Sequence, residues 1–187
     1  MRELGELMLA VLAALTAENL FFSQGMGFDR VLQAARRGTM LGIYALLVTL
    51  FSLVSGLLLF WLSGMVPVLW LSLVSAGVTG GVYLLVCIVL VMGAPEWYRK
   101  ISWCLAPAAI NTVVFSIPFL VRLQEWSPWQ AIGFSLGTGV AFWLAAWLLT
   151  EMIPRLRHIS MPAAFRGMPA VFLYMAILAL AFLGFAS

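Results

Sequence analysis

Residues 38–95 pass without a single Asp, Glu, Lys, Arg or His. A soluble domain cannot contain such a stretch, because each of its elements needs a polar face toward water, and about a quarter of its residues are charged. This chain of 187 residues has ten Lys/Arg and seven Asp/Glu, 9% charged against 64% hydrophobic, with a mean hydropathy of +1.09. At that length a soluble fold would bury roughly 70% of its unfolded surface and would still need a polar exterior. A soluble domain, a disordered chain and a disulfide scaffold are all excluded. The solvent is lipid. A transmembrane β-barrel would alternate apolar and polar residues in segments of about ten. The unbroken runs here point instead to an all-α polytopic membrane protein.

A membrane-crossing helix takes about 20 residues, so the chain has room for six and for no sizeable aqueous domain. The spans are expected at about 4–22, 40–61, 66–92, 101–120, 132–153 and 169–185. The fourth is broken by Pro107 and Pro118. The first is interrupted by Glu6, Glu18 and Asn19, and with only one Arg against two Glu near its start it reads as a helix rather than a cleaved leader. Trp61, Trp97, Trp126 and Trp129 fall at span ends, as an aromatic belt would place them. Segments 23–39, 93–100 and 154–168 hold Arg30, Arg36, Arg37, Arg99, Lys100, Arg155, Arg157 and Arg166, whereas the opposite side holds only Arg2 and Arg122. That bias makes the three basic segments cytoplasmic and places both termini outside. The net charge of +3 sits between apolar runs and gives no sign of a nucleic-acid partner.

The chain reads as one transmembrane domain, 1–187, whose halves, about 1–92 and 93–187, resemble each other. Ala17-Glu18-Asn19 is echoed by Ala109-Ile110-Asn111, each followed by an interrupted stretch and then by a glycine-bearing span. A three-span unit used twice must be inverted the second time, and interrupted spans at matching positions of inverted halves point to a midplane site. Glu18 is the one acidic residue that reads as deep, and intramembrane carboxylates are costly. It has two readings: part of an ion or proton path facing Asn19 and Asn111, or a carboxylate at the end of span one paired with Arg30, Arg36 or Arg37. Asn19 and Asn111 have the alternative role of hydrogen-bonding across helices. Gly133 with Gly137, and Gly77 with Gly81, have the small-xxx-small spacing of close helix contacts. Cys87 and Cys104 lack metal-ligand spacing and read as small buried hydrophobes, and His158 reads as solvated. No metal site is expected, and no motif of self-contained catalysis occurs.

Several stretches resemble the Rnf/Nqr membrane subunits of the A/E and D/E type. Pro162, Phe165, Arg166 and Gly167, followed by Ala181, Phe182, Gly184 and Phe185, match that family's last turn and helix. Pro95, Tyr98, Arg99, Leu105 and Asn111 are in register with its fourth helix, and Gly133, Phe134, Ser135 and Gly139 with its fifth. Asn19 and Gly27 match its first. The resemblance implies six helices in two inverted halves. It also implies a place in an ion-translocating electron-transfer complex, in the inner membrane of a prokaryote, beside a paralogous subunit of opposite topology and other complex subunits. The outward termini are like those of the A-type subunit.

In that family a cysteine in each half-helix break helps the paired subunits hold a 2Fe-2S cluster. The matching positions here are Asp29 and Thr112, and such clusters require thiolates. Cys104 lies eight residues before Thr112, about two turns away, and cannot replace it. A family glutamate in the third helix falls near Cys87. The expectation is therefore a divergent paralogue without a cofactor of its own, in which Glu18, Asn19, Asp29, Asn111 and Thr112 line the former centre or an ion path. The alternative is a small six-helix transporter or the substrate-binding component of a vitamin-uptake system.

Overall fold

In a computed structural model the chain is described over residues 2–184 except 17, 39, 157–161 and 163. Ala17, Arg157, His158 and Phe185 therefore lie outside the described residues. Eight helices are present among the described residues, and no strand: α1 (Arg2–Leu15), α2 (Phe28–Arg37), α3 (Leu41–Ser63), α4 (Val68–Gly93), α5 (Pro95–Ala109), α6 (Thr112–Leu123), α7 (Pro128–Arg155) and α8 (Met168–Leu183). The expected all-α architecture is what these residues form. Three helices, α3, α4 and α7, are long and apolar enough to cross a membrane. The bent pair α5–α6, turned by 42° at its break, makes a fourth candidate, and α8 is a shorter apolar helix. Such a set of apolar helices is that of a multi-pass membrane protein.

Two expected boundaries are corrected. Segment 23–39 is not simply a loop: α2 occupies most of it, burying Val31, Ala34 and Ala35 at i, i+3 and i+4. The fourth span is not broken at its prolines. Pro107 lies inside α5 and Pro118 inside α6, and the chain breaks between them at Ile110 and Asn111. Neighbouring helices and side chains re-satisfy the backbone groups that an intramembrane proline frees.

Helix α7 is the spine, with α1, α3 and α2 packed along it. A Cβ at Gly133 would land on the Leu7 carbonyl, and one at Gly137 would lie 2.8 Å from Ala14 Cβ. This is the close contact that the small-xxx-small spacing suggested. Gly77 and Gly81 do not behave this way, since nothing lies within 4 Å of either. They sit on the outward face of α4, where only Leu71, Ser75 and Thr79 are buried.

The basic segments gather at one end of the bundle. Arg37 lies 4.4 Å over the Trp103 ring, Arg36 donates to Met168 Sδ at 3.1 Å, and Thr150 donates to the Ala35 carbonyl at 3.4 Å. At the other end Ser127 caps α7 and donates to Glu6 at 2.7 Å, and Arg122 donates to the Val66 carbonyl. Cys104 is buried and donates to the Ile101 carbonyl, and Cys87 is half-buried; neither forms a disulfide.

Candidate functional site at the crossing of two broken helices

Two irregular stretches meet inside the bundle. The first lies between α1 and α2, described at residues 16 and 18–27, and the second is the α5–α6 break. Each is organised by a buried asparagine. Asn19 ends α1 by donating Nδ2–H to the Leu15 carbonyl at 3.2 Å, and its Oδ1 accepts the Phe21 and Phe22 amides, both at 3.0 Å. Asn111 starts α6 by accepting the Val113 amide at 3.2 Å, the N-cap arrangement that satisfies one of the orphan donors of a helix start. Among the described residues, neither asparagine makes the cross-helix bond that its position suggested. Each uses its amide to shape its own break.

The breaks are then tied to one another. The Gly27 amide donates to Thr112 Oγ1 at 2.8 Å, across 85 residues of sequence. Gly27 is buried with φ +67, and a Cβ there would lie 2.7 Å from Asn111 Oδ1 and 2.9 Å from Val113 Cγ2. Only glycine provides both that backbone conformation and that approach. Beside the tie opens a cleft of about 570 Å³, whose lining includes Gln24, Asp29, Thr112, Ser116, Phe28 and Phe115. Asp29 and Thr112, far apart in sequence, thus share one wall. The Asp29 carboxylate pairs with its neighbour Arg30 at 3.1 Å but is mostly exposed, so the pair adds at most about 1 kcal/mol.

Glu18 does not line this cleft. It lines a separate one of about 190 Å³ with Glu6, Trp126 and Gln130, between α1 and the start of α7, and it forms no ion pair among the described residues. Phe165, Arg166 and Gly167 are also remote from the crossing. They form the turn before α8 at the basic end, where the Gly167 amide donates to the Leu156 carbonyl at 3.2 Å. Gln24 and Ser116 were not singled out in the sequence. Ser116 was within reach, since it follows Thr112 by four residues and so shares its helix face.

The donors around the cleft are carboxylate, hydroxyl and amide oxygens, with no thiolate among them. They do not suit the 2Fe-2S cluster that the resemblance implies. No group of three or more His, Cys, Asp or Glu capable of holding a metal ion occurs among the described residues. The tie itself is open to test. Thr112→Val removes the acceptor of a buried amide, and leaving such a donor unpaired costs about 1–3 kcal/mol. The valine protein should therefore melt several degrees lower, while Thr112→Ser should melt like the parent. Equal melting of all three would show that the tie contributes nothing.

These features define a helical membrane protein in which two irregular stretches meet inside the bundle. Known proteins sharpen this: the family described as "Rnf-Nqr subunit, membrane protein" matches residues 7–187, and the chain belongs to it. Among its relatives, the A-type subunit of the "ion-translocating oxidoreductase complex" of Syntrophotalea carbinolica is 37% identical over 93 residues, 50% of this chain and 48% of that protein. The same-named protein of Aromatoleum aromaticum is 30% identical over 91 residues, 49% of this chain and 47% of that protein. The A-type subunit of the "proton-translocating ferredoxin:NAD(+) oxidoreductase complex" of Clostridium ljungdahlii is 30% identical over 92 residues, 49% of this chain and 48% of that protein. Each match takes in about half of either chain.

Proposed function

We propose that this chain is a membrane subunit of an ion-translocating electron-transfer complex and carries no iron–sulfur ligand of its own. The observation that carries this reading is the crossing itself. Two asparagine-shaped breaks meet within a chain of the Rnf-Nqr family, and the residues at the positions resembling the cluster cysteines, Asp29 and Thr112, converge on one cleft as oxygen donors. The names of the relatives support the complex and the ion translocation. Family membership weighs against the uptake-component alternative.

The finer arrangement belongs to the same reading. The six spans count α1–α2 and α5–α6 as one broken crossing each, with α3, α4, α7 and α8 as the other four. The halves are inverted copies, α1–α4 and α5–α8, and the parallel use of Asn19 and Asn111 favours this. Both termini face outward from a prokaryotic inner membrane, a reading favoured by the clustering of the basic segments at one end. A paralogous subunit of opposite topology and further subunits are the partners. Asn19, Asn111, Asp29 and Thr112 shape or line the crossing, and Glu18 lies on an approach to it from the outer end.

The test is purification of the tagged chain from its native membrane. Other membrane subunits should co-elute, and their iron content should be the same in the parent and in Asp29→Ala and Thr112→Val proteins. Loss of iron in either variant would show that these residues ligate it and would refute the cluster-free reading. Elution of the chain alone would refute the complex.

A further inference from the structure

The middle of the bundle holds several buried polar groups that no described neighbour satisfies. Six side-chain polar atoms are buried without a hydrogen-bond partner among the described residues: the hydroxyls of Tyr44, Ser52, Ser55, Thr79 and Thr138, and Nδ2 of Asn111. Ser52, Ser55, Thr79, Thr138 and Asn111 are each at most 1% exposed.

Five of the six fall within about two helical turns of one another along the bundle axis. Helices α3 and α7 run antiparallel, with Tyr44 against Phe142, Gly139 against Thr49, and Ser135 Oγ 3.5 Å from the Ser52 carbonyl. That register puts Thr138 beside the stretch between Thr49 and Ser52. Helix α4 returns antiparallel from the turn at 64–67. Thr79, twelve residues past Pro67, therefore comes back to the height of Ser52, twelve residues before Gly64. Along α6, Arg122 reaches Val66 and Ile117 packs 3.2 Å from where a Cβ on Gly56 would lie. Continuing down α6 brings Asn111 to within about a turn of Ser52. Tyr44 sits about two turns away, toward the basic end.

These hydroxyls are also turned differently from the other hydroxyls of the same helices. Thr49, Ser135 and Thr150 bond the carbonyl four residues back, and Ser75 and Ser116 the one three back. That self-bonding is the ordinary way for a helix to satisfy a buried Ser or Thr. Ser52, Ser55, Thr79 and Thr138 forgo it. A buried polar group without a partner is rare in a native interior and points to an unseen one. No charged side chain is among the buried residues that the structure describes, so a bare cation would have no compensating charge there. Water both donates and accepts, and typically bridges two to four such groups.

We propose that Ser52, Ser55, Thr79, Thr138 and Asn111 form a belt that holds water near mid-height of the bundle, beside the crossing of the broken helices. This belt belongs to the isolated chain and does not depend on its membership of a complex.

X-ray radiolysis of the full chain in detergent tests it, because bound water generates hydroxyl radicals where it sits. Ile117, wholly buried next to the belt, should be labelled at least threefold faster than Leu149, equally buried but remote from it. In Thr79→Val/Thr138→Val protein, Ile117 should fall to the rate of Leu149, and the melting temperature should drop by about 3 °C. Equal labelling of Ile117 and Leu149 in the parent would overturn the proposal, and that comparison stands even if the valine protein does not fold. So would a rise in melting temperature on valine substitution, which would mean that the hydroxyls were simply unsatisfied. A saturable rise in melting temperature with sodium chloride over choline chloride would make the occupant a cation and overturn it equally.

Discussion

Gly133→Val protein is expected to lose at least about 3 kcal/mol of stability and to accumulate poorly in the membrane. A single Cβ at this position would already sit on the Leu7 carbonyl and 3.1 Å from Ala10 Cβ, and valine adds two methyl groups beyond it. Overpacking a close contact costs about 1–3 kcal/mol when side chains can adjust. Here the obstacle is backbone, so α1 itself must move outward from α7. Moving it also strains the bond between Ser127 and Glu6, 2.7 Å in the parent, and widens the cleft that Glu18 lines. With total stability on the order of 5–15 kcal/mol, such a loss should be plain in size-exclusion profiles and melting curves of a fluorescent fusion. Gly77→Val makes the same chemical change on the open face of α4 and should shift the curve little. Equal behaviour of the two would mean that α1 does not pack closely on α7.

Gly27→Ala should be the most damaging small change at the crossing. The left-handed backbone at φ +67 costs an alanine about 1 kcal/mol. The added methyl would then press on Asn111 Oδ1 and Val113 Cγ2. The structure has two ways to respond. It can shift Asn111 and weaken the cap of α6, worth about 1 kcal/mol, or it can lift the break and lose the Gly27–Thr112 bond. Either way the sum is about 2–4 kcal/mol once the unpaired buried amide or the lost cap is added to the backbone cost. Gly5→Ala, at a glycine of α1 with nothing within 4 Å, is the matched control. A second measurement separates the two responses. If the break lifts, Thr112→Val added to Gly27→Ala should cost little more, because the bond is already gone. If the cap yields instead, the two losses should add.

The long helices were legible because nothing competes with their hydropathy. For α3, α4 and α7 an apolar run of the right length has only one solution in lipid. The breaks were harder to read because the conspicuous breaker, proline, is not what breaks the chain. Pro107 and Pro118 are absorbed inside α5 and α6, whereas Asn111, a weaker signal, turns the backbone by capping the start of α6. Helix α2 was hidden by its arginines, which lower its hydropathy to that of a loop. Its i, i+3, i+4 pattern at Val31, Ala34 and Ala35 was the available signal. The glycine pairs show the limit of spacing as a guide. Gly133/Gly137 and Gly77/Gly81 share one pattern, and only tertiary placement decides that the first meets α1 and the second faces outward. The meeting of Gly27 with Thr112 could not be read at all, because a contact across 85 residues leaves no local trace.

The dependence of α1 on α7 sets an order of assembly. Helix α1 leaves the ribosome well before the helix it docks on, which begins only at Pro128. Until then Glu6 has no Ser127 to meet and the small residues of α1 have no facing helix. At ordinary elongation rates that interval is on the order of ten seconds, much longer than a helix takes to form. During synthesis α1 is thus a guest at the membrane surface or inside the insertion machinery. It takes its final place only when the spine arrives, and with it comes the cleft that Glu18 lines.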